Sequence, residues 1–306
     1  MVRPTVLLVV NPAASSTRPD VRDLIIAALE GRVTLDVRPT RGRGHATELA
    51  AGAVERGLDA VVVLGGDGTA NEVIQAVAHT PLALGLVPGG GANVLARALG
   101  LPVDPVSATT WLLRALRVDG RRRIGLGRAD ERLFAFNAGM GFDAAVVQRV
   151  ERDPQRKRSL RQLAFVSSAL GEWSATRGRR VGVRVRLPDG AERVTDLALV
   201  GNASPYTYLG PRPLIAHPEA SFDLGLDLLT VDDATLPRLA GVIGGAMAGG
   251  RHLRLHGVRV DHDLPHLELE AVDGRRTLPV HVDGDPLPPR RRLRLEAVPD
   301  ALDVLV

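Results

Sequence analysis

Residues 61–73 read VVVLGGDGTANEV, and their reading decides the fold. The β-branched run Val61–Val63, continued by Leu64, predicts a buried strand. Two glycines break it, an acid and a third glycine follow, and Thr69 is expected to open an amphipathic helix running through Val73 and Val77. Gly65, Gly66 and Gly68 let the backbone turn sharply and bring amide N–H groups close to a ligand. A helix start adds orphan N–H donors and a partial positive charge, so strand, glycine turn and helix N-terminus together predict a phosphate site. Asp67 is the odd member. A carboxylate beside phosphate oxygens is repelled unless a cation or a proton lies between them, which points to Mg²⁺ chemistry or proton acceptance.

Outward from this stretch, the first ~120 residues alternate strand and helix at the spacing of βαβ units. Thr5–Val10 is a strand, followed by a helix from Pro19 to Leu29 with Ser16 or Thr17 near its start and Gly31 past its end. Val33–Arg38 alternates as a strand and His45–Gly57 is helical. A strand at Leu82–Val87 and a helix at Ala92–Leu99 come after the Val61 strand and its helix. Asp104-Pro105 reads as N-cap and first residue of a helix ending near Arg117. The pattern is a parallel α/β layer fold, which binds ligands at the carboxyl ends of its strands.

Beyond Gly120 the pattern changes. Strands are expected at Arg123–Gly127, Leu133–Gly139, Val181–Leu187, Val194–Gly201, Leu224–Val231, Leu253–Val260, Leu267–Ala271, Leu278–Val282 and Leu293–Val298, with Asp-Gly hairpin signals at 189, 273 and 283. Two helices, Phe142–Glu151 and Ser159–Trp173, flank a charged loop, residues 151–158. This half reads as mainly antiparallel β. His256, His262 and His266 invite a metal reading, but Pro265 argues against a helix that presents the last two together.

Hydrophobic residues make up 45% of the 306 and charged ones 24%, a globular balance, and with aromatics at 3% the core must be built from Val, Leu, Ala and Ile. The absence of cysteine removes disulfides and thiolate metal sites and fits a reducing compartment. Lys157 is the only lysine, so no Walker-type GxxxxGK[ST] exists; phosphates must be held by backbone amides, a metal ion or arginine. No signal peptide is visible, and the apolar run Leu239–Gly250 is too short to span a bilayer. A soluble, cytoplasmic or peripheral protein is expected.

Three further loops are expected on the same sheet edge as Gly65–Thr69. They are Asn11-Pro12-Ala13-Ala14, Thr40 with the RGRGHA that follows it, and Pro88-Gly89-Gly90-Gly91-Ala92-Asn93. Asn11 and Thr40 could hydrogen-bond a nucleotide, and the Gly89–Gly91 amides could meet its phosphates. At these residues the chain resembles the diacylglycerol kinase catalytic-domain family of lipid kinases, in its bacterial soluble form. The motifs are NPAAS (11–15), GGDGTANEV (65–73), GLVPGGGANVLARALGLP (85–102), FNAGMGFDA (136–144), GNASPYTYLGPRPLIAHPEASFDLGLDLL (201–229) and VDGD (282–285). GGDG also occurs in NAD kinases and phosphofructokinases; Asn71-Glu72 and the PGGGAN loop favour the lipid kinases.

The resemblance implies an ATP-binding α/β kinase domain over residues 1–122 and a β-rich, antiparallel sandwich-like lipid domain over 123–289, with 290–306 packing back on the first. By motif position the nucleotide would touch Asn11, Thr40, Gly65, Gly66, Asp67, Gly68, Thr69, Ala70, Asn71, Glu72, Gly90, Gly91 and Asn93. ATP and Mg²⁺ are the implied cofactors. The family's final motif usually reads Asp-Gly-Glu, its Glu a candidate general base, and here that place is Asp285; Asp67 is the second candidate. Asp283 is expected to be only the turn residue. The third motif departs from the family at Gly91, usually Thr, and at Val94, usually Asp. Asp223-Leu224-Gly225 departs from Asp-Asp-Gly, which puts a second Mg²⁺ site in doubt. The implied acceptor is a lipid at the inner face of a membrane, reached by peripheral contact through Arg152, Arg156, Lys157 and Arg158. A homodimer is a further expectation, and nucleic acid is not an expected partner. The rivals are a kinase of NAD or a soluble alcohol, and a nucleotide-binding protein without catalysis.

Overall fold

The computed structural model describes residues 3–14, 18–142, 144–145 and 182–306. The chain divides into two compact units, Met1–Gly125 with Asp300–Val306, and Leu126–Pro299. The helices expected at 142–151 and 159–173 fall almost wholly outside the described residues, as do the charged loop between them and Ser16 and Thr17.

The first unit runs β1 (Thr5–Val10), α1 (Pro19–Glu30), β2 (Thr34–Pro39), α2 (His45–Glu55), β3 (Ala60–Gly65), α3 (Asp67–Val77), β4 (Ala83–Pro88), α4 (Val94–Ala98) and α5 (Pro105–Val118). Its strands lie in the order β2-β1-β3-β4, all parallel. β3 and β4 are buried along their whole length, as near-continuous apolar runs in a covered parallel sheet should be. Val6, Leu8, Val62 and Leu64 pack one face of the sheet against Ile25 and Leu29 of α1 and Leu112 of α5. α5 starts as expected: Asp104 accepts a hydrogen bond from the Ser107 N–H, and Pro105 follows it. α1 begins at Pro19, as expected, and its cap residue Arg18 makes no side-chain hydrogen bond to the helix.

Two boundaries near the glycine loops differ from the sequence reading. α3 begins at Asp67 rather than Thr69, so the acid lies inside the first helical turn. α4 is shorter than expected, because Asn93 takes a left-handed conformation (φ 48°) and delays the helix to Val94.

β5 (Arg121–Ala129) leads into the second unit, which contains β6 (Arg132–Phe134), β7 (Asn137–Gly141), β8 (Val183–Arg186), β9 (Glu192–Thr195), β10 (Leu197–Gly201), β11 (Thr207–Leu209), β12 (Arg212–Leu214), β13 (Leu226–Val231), α6 (Leu236–Met247), a 3₁₀ turn (Arg251–Arg254), β14 (Val258–Leu264), β15 (His266–Ala271), β16 (Leu278–Val282) and β17 (Asp285–Arg290). β18 (Arg292–Leu305) closes the chain. One antiparallel sheet has the order β14-β13-β10-β7-β16-β17. In the other, β15 pairs with β8 and with the Arg292–Glu296 stretch of β18. Met140, Val200, Leu228 and Val280 from the first sheet share a buried cluster with Val185, Leu269 and Leu295 from the second, which makes this unit a sandwich. The end of β18 belongs to the first unit, where Val304 pairs in parallel with Leu84 of β4.

Two expectations here are corrected, and two elements are added. Asp273-Gly274 is not a hairpin, because β15 and β16 lie in different sheets. The strand expected at Leu253–Val260 begins only at Val258, after the 3₁₀ turn. The apolar run near Leu239 is helix α6, and Asp285–Arg290 forms strand β17.

Candidate active site

Because β1, β2, β3 and β4 are parallel neighbours, Asn11, Thr40, Gly66 and Gly89 all follow carboxyl ends on one edge of the first unit. The loops are tied to that edge and to one another. The Asn11 N–H donates to the Leu64 carbonyl (3.0 Å), Thr40 N–H to Val10 (2.8 Å) and Gly89 N–H to Gly65 (2.7 Å). Asn11 Nδ2 donates to Thr69 Oγ1 (2.9 Å), and a Cβ at Gly65 would sit 3.1 Å from that same oxygen. A narrow slot remains between the two glycine loops, lined by Gly65, Gly66, Asp67, Pro88, Asn93 and Leu95.

The amide-bearing face is Gly66–Gly68. Gly66 is the extended cap of α3 and Gly68 is exposed, with open space where a Cβ would project. The first N–H groups of a helix have no partner inside it, so they are available to an anion arriving at this edge.

Several residues expected to touch nucleotide have other engagements. Asp67 Oδ2 accepts from the Val94 N–H (3.0 Å) and Oδ1 from the Leu95 N–H (3.1 Å), so the acid clamps the start of α4. Burial pushes its carboxyl above the ordinary carboxylate range, while those amides pull the other way. An acid in this loop thus has a structural reason to be there without a metal. Asn93 closes its own loop, accepting from the Gly90 N–H and donating to the Gly90 carbonyl (both 2.9 Å). Glu72 Oε2 accepts from the Ala46 N–H (3.2 Å) and its carbonyl from Thr47 Oγ1 (2.8 Å), which joins α3 to the start of α2. Ala70 and Asn71 are buried, and Gly91 is exposed on its loop.

In the second unit Asp285 opens β17 opposite Val282 and is half-buried. Asp283 and Gly284, both left-handed (φ 48° and 79°), make the two-residue turn before it. From its sequence alone Asp283 is expected to be only a turn residue. Its carboxylate is in fact buried and accepts from three consecutive backbone N–H groups, Ala135 (2.7 Å), Phe136 (2.9 Å) and Asn137 (3.0 Å). Asn137 Nδ2 donates to the Tyr206 carbonyl, and Asn202 Nδ2 to the Ala135 carbonyl. This network fixes the turn, and with it Asp285. The signal was present as the pairing of VDGD with FNAG, but only the fold brings the two together.

Elsewhere in this unit the Asp227 carboxylate is fully buried, accepting from the Asp263 N–H (3.2 Å) and lying 2.6 Å from His262 Nδ1. Burial pushes Asp227 above the ordinary carboxylate range, against the pull of Asp263 and His262. Among the described residues no group of three or more His, Asp or Glu side chains is arranged to hold a metal ion. Among those residues, too, no helix is long and apolar enough to cross a membrane.

The chain matches the diacylglycerol kinase catalytic domain over residues 5–125 and the YegS C-terminal NAD kinase beta sandwich-like domain over residues 137–306. It is 33% identical over 299 residues to a Xanthomonas oryzae pv. oryzae protein described as "Probable lipid kinase YegS-like", covering 94% of this chain and 92% of that one. A Pseudomonas aeruginosa protein of the same description is 32% identical over 310 residues, covering 99% and 95%. A solved structure described as a diacylglycerol kinase from Bacillus anthracis shares the fold with a TM-score of 0.69 at 18% identity, covering 99% of this chain and 97% of that one.

Proposed function

Because the chain belongs to the diacylglycerol kinase catalytic-domain family and is a lipid kinase, we propose that it transfers the γ-phosphoryl group of ATP to the hydroxyl of diacylglycerol or a related lipid, giving phosphatidic acid or its analogue. The observation that carries the nucleotide half of this reading is the meeting of the Gly66 and Gly90 loops beside the open start of α3. Amide donors there suit the phosphates of the nucleotide. Arg41 and Arg43, exposed in the loop after Thr40 on the same edge, supply positive charge where the chain has no lysine.

Asp285 takes the proton of the acceptor hydroxyl. The acceptor oxygen bonds to the γ-phosphorus in line, the bond to the β–γ bridging oxygen breaks, and ADP leaves. Asp67 acts here by holding the α4 loop rather than as the base. Mg²⁺ would arrive on the ATP phosphates and neutralise their charge.

Incubation with labelled ATP and diacylglycerol, sphingosine, NAD or buffer alone tests the reading. Label is expected in the lipid fraction. Label in NAD alone would make this a nucleotide kinase of related fold, and nucleotide binding without transfer to any acceptor would make it a non-catalytic binding protein.

A further inference from the structure

Between Ala234 and Val260 the chain carries no aspartate or glutamate, yet it holds four arginines and two histidines. This stretch folds as α6, a left-handed Gly249-Gly250 turn and the 3₁₀ turn Arg251–Arg254. Its inner side is braced. Leu239 and Ala246 join a buried cluster with Tyr206, Leu229 and Val258. His252 Nε2 lies 3.0 Å from the Ala216 carbonyl, and the His252 backbone approaches Gly245 so closely that a Cβ there would lie 2.3 Å from the His252 nitrogen.

The outer side has a different character. Met247, Leu253 and Leu255 are 39%, 40% and 36% exposed. Arg251 and Arg254, three apart in a 3₁₀ turn, lie on one side of it. Both are exposed, and neither makes an ion pair among the described residues. Arg238 and Arg259, by contrast, are neutralised by Asp233 and Asp232. A rigid projection thus offers apolar tips and unpaired guanidinium groups, with no acid of its own to repel an anionic surface.

We propose that this α6–3₁₀ hairpin is a docking surface for the anionic face of a lipid bilayer. Met247, Leu253 and Leu255 enter the headgroup region, and Arg251 and Arg254 pair with lipid phosphates. The proposal rests on the lipid-kinase reading, since a diacylglycerol acceptor resides in such a bilayer. Residues 152–158, where membrane contact is expected from the sequence, lie outside the described residues.

The test is co-sedimentation of the full chain with phosphatidylcholine vesicles, with and without 30% phosphatidylglycerol, at low and high salt. Wild type is expected to bind the anionic vesicles, more weakly at high salt. Arg251→Gln/Arg254→Gln should weaken binding about fivefold per arginine, roughly thirtyfold together. Leu253→Ser/Leu255→Ser should weaken it further even at low salt. All these side chains are exposed, and a thermal melt verifies folding. Equal partitioning of wild type and both variants would overturn the proposal. So would a concentration-dependent dimer that the same substitutions abolish, because the face would then bind a second copy. Binding needs no phosphoryl transfer: vesicle binding without lipid phosphorylation would refute the substrate reading alone, and phosphorylation of short-chain diacylglycerol without vesicle binding would refute the docking surface alone.

Discussion

Gly66 and Gly90 meet backbone to backbone: a Cβ on Gly90 would lie 2.7 Å from the Gly66 Cα, and one on Gly66 would lie 3.2 Å from the Gly90 Cα. Neither loop can yield without moving the other. Gly90→Ala is therefore expected to cost about 1–3 kcal/mol of stability, as overpacking does, and to weaken nucleotide binding at least tenfold. Gly68→Ala meets open space and should change stability by less than about 1 kcal/mol, while still weakening nucleotide binding if phosphate rests on that amide. Thermal melts and nucleotide titrations of the two variants check both statements; equal affinity in wild type and Gly90→Ala would remove these loops from the nucleotide site.

Asp67→Asn should lower stability as well as activity. The amide has one acceptor oxygen where the carboxylate has two, and its NH₂ must then face the N–H of Val94 or Leu95. Leaving one of those donors unsatisfied costs about 1–3 kcal/mol. Denaturant unfolding with a parallel turnover assay separates the roles. Full stability with abolished transfer would return Asp67 to the chemistry as base or metal ligand.

Asp283 and Asp285 stand two residues apart, and their variants should fail differently. Asp285→Asn should fold normally and bind ATP with nearly unchanged affinity, yet turn over ~10²-fold more slowly or worse. Asp285→Glu should keep activity. Asp283→Asn should lose stability, because three backbone donors converge on its carboxylate. Normal turnover in Asp285→Asn would rule out its role as base.

Asp227 gives a pH dependence of definite sign. Its folded-state pKa is raised, mainly by burial, so its contribution to stability is fully present below the unfolded-state value of about 3.9 and is lost as pH rises through the folded-state value. The stability of wild type relative to Asp227→Asn should therefore fall as pH rises above about 4. Chemical denaturation of both proteins across that range measures it; an opposite slope would mean that the contact with His262 outweighs burial.

The parallel half was legible because each strand is an uninterrupted apolar run ended by a glycine loop, as at Val61–Gly66, and because Asp104-Pro105 is a purely local cap. The exact start of α3 was not legible, since Asp67 is drawn into the helix by amides 27 and 28 residues away. Helix α6 was missed because Gly241, Gly244 and Gly245 lower its intrinsic propensity, while the reason for Gly245, the close approach of His252, is tertiary. At the site, the loops were identifiable by their residues, but Asp283 was not. An Asp before Gly looks like a turn until the backbone of 135–137, far away in sequence, is laid against it.

The split membership of β18 bears on how the protein is made. Asp300–Val306 complete the unit built from the first 125 residues, with Leu302, Val304 and Leu305 all buried in it. During synthesis the whole of Leu126–Pro299 must therefore emerge before that unit can finish. Until then β4, apolar throughout, presents an unpaired edge of the kind that recruits other chains. Folding of the first unit thereby waits on the Asp300–Val306 segment and is coupled to long-range contacts such as Val304 with Leu84, a slow step that leaves the nascent chain dependent on protection from aggregation.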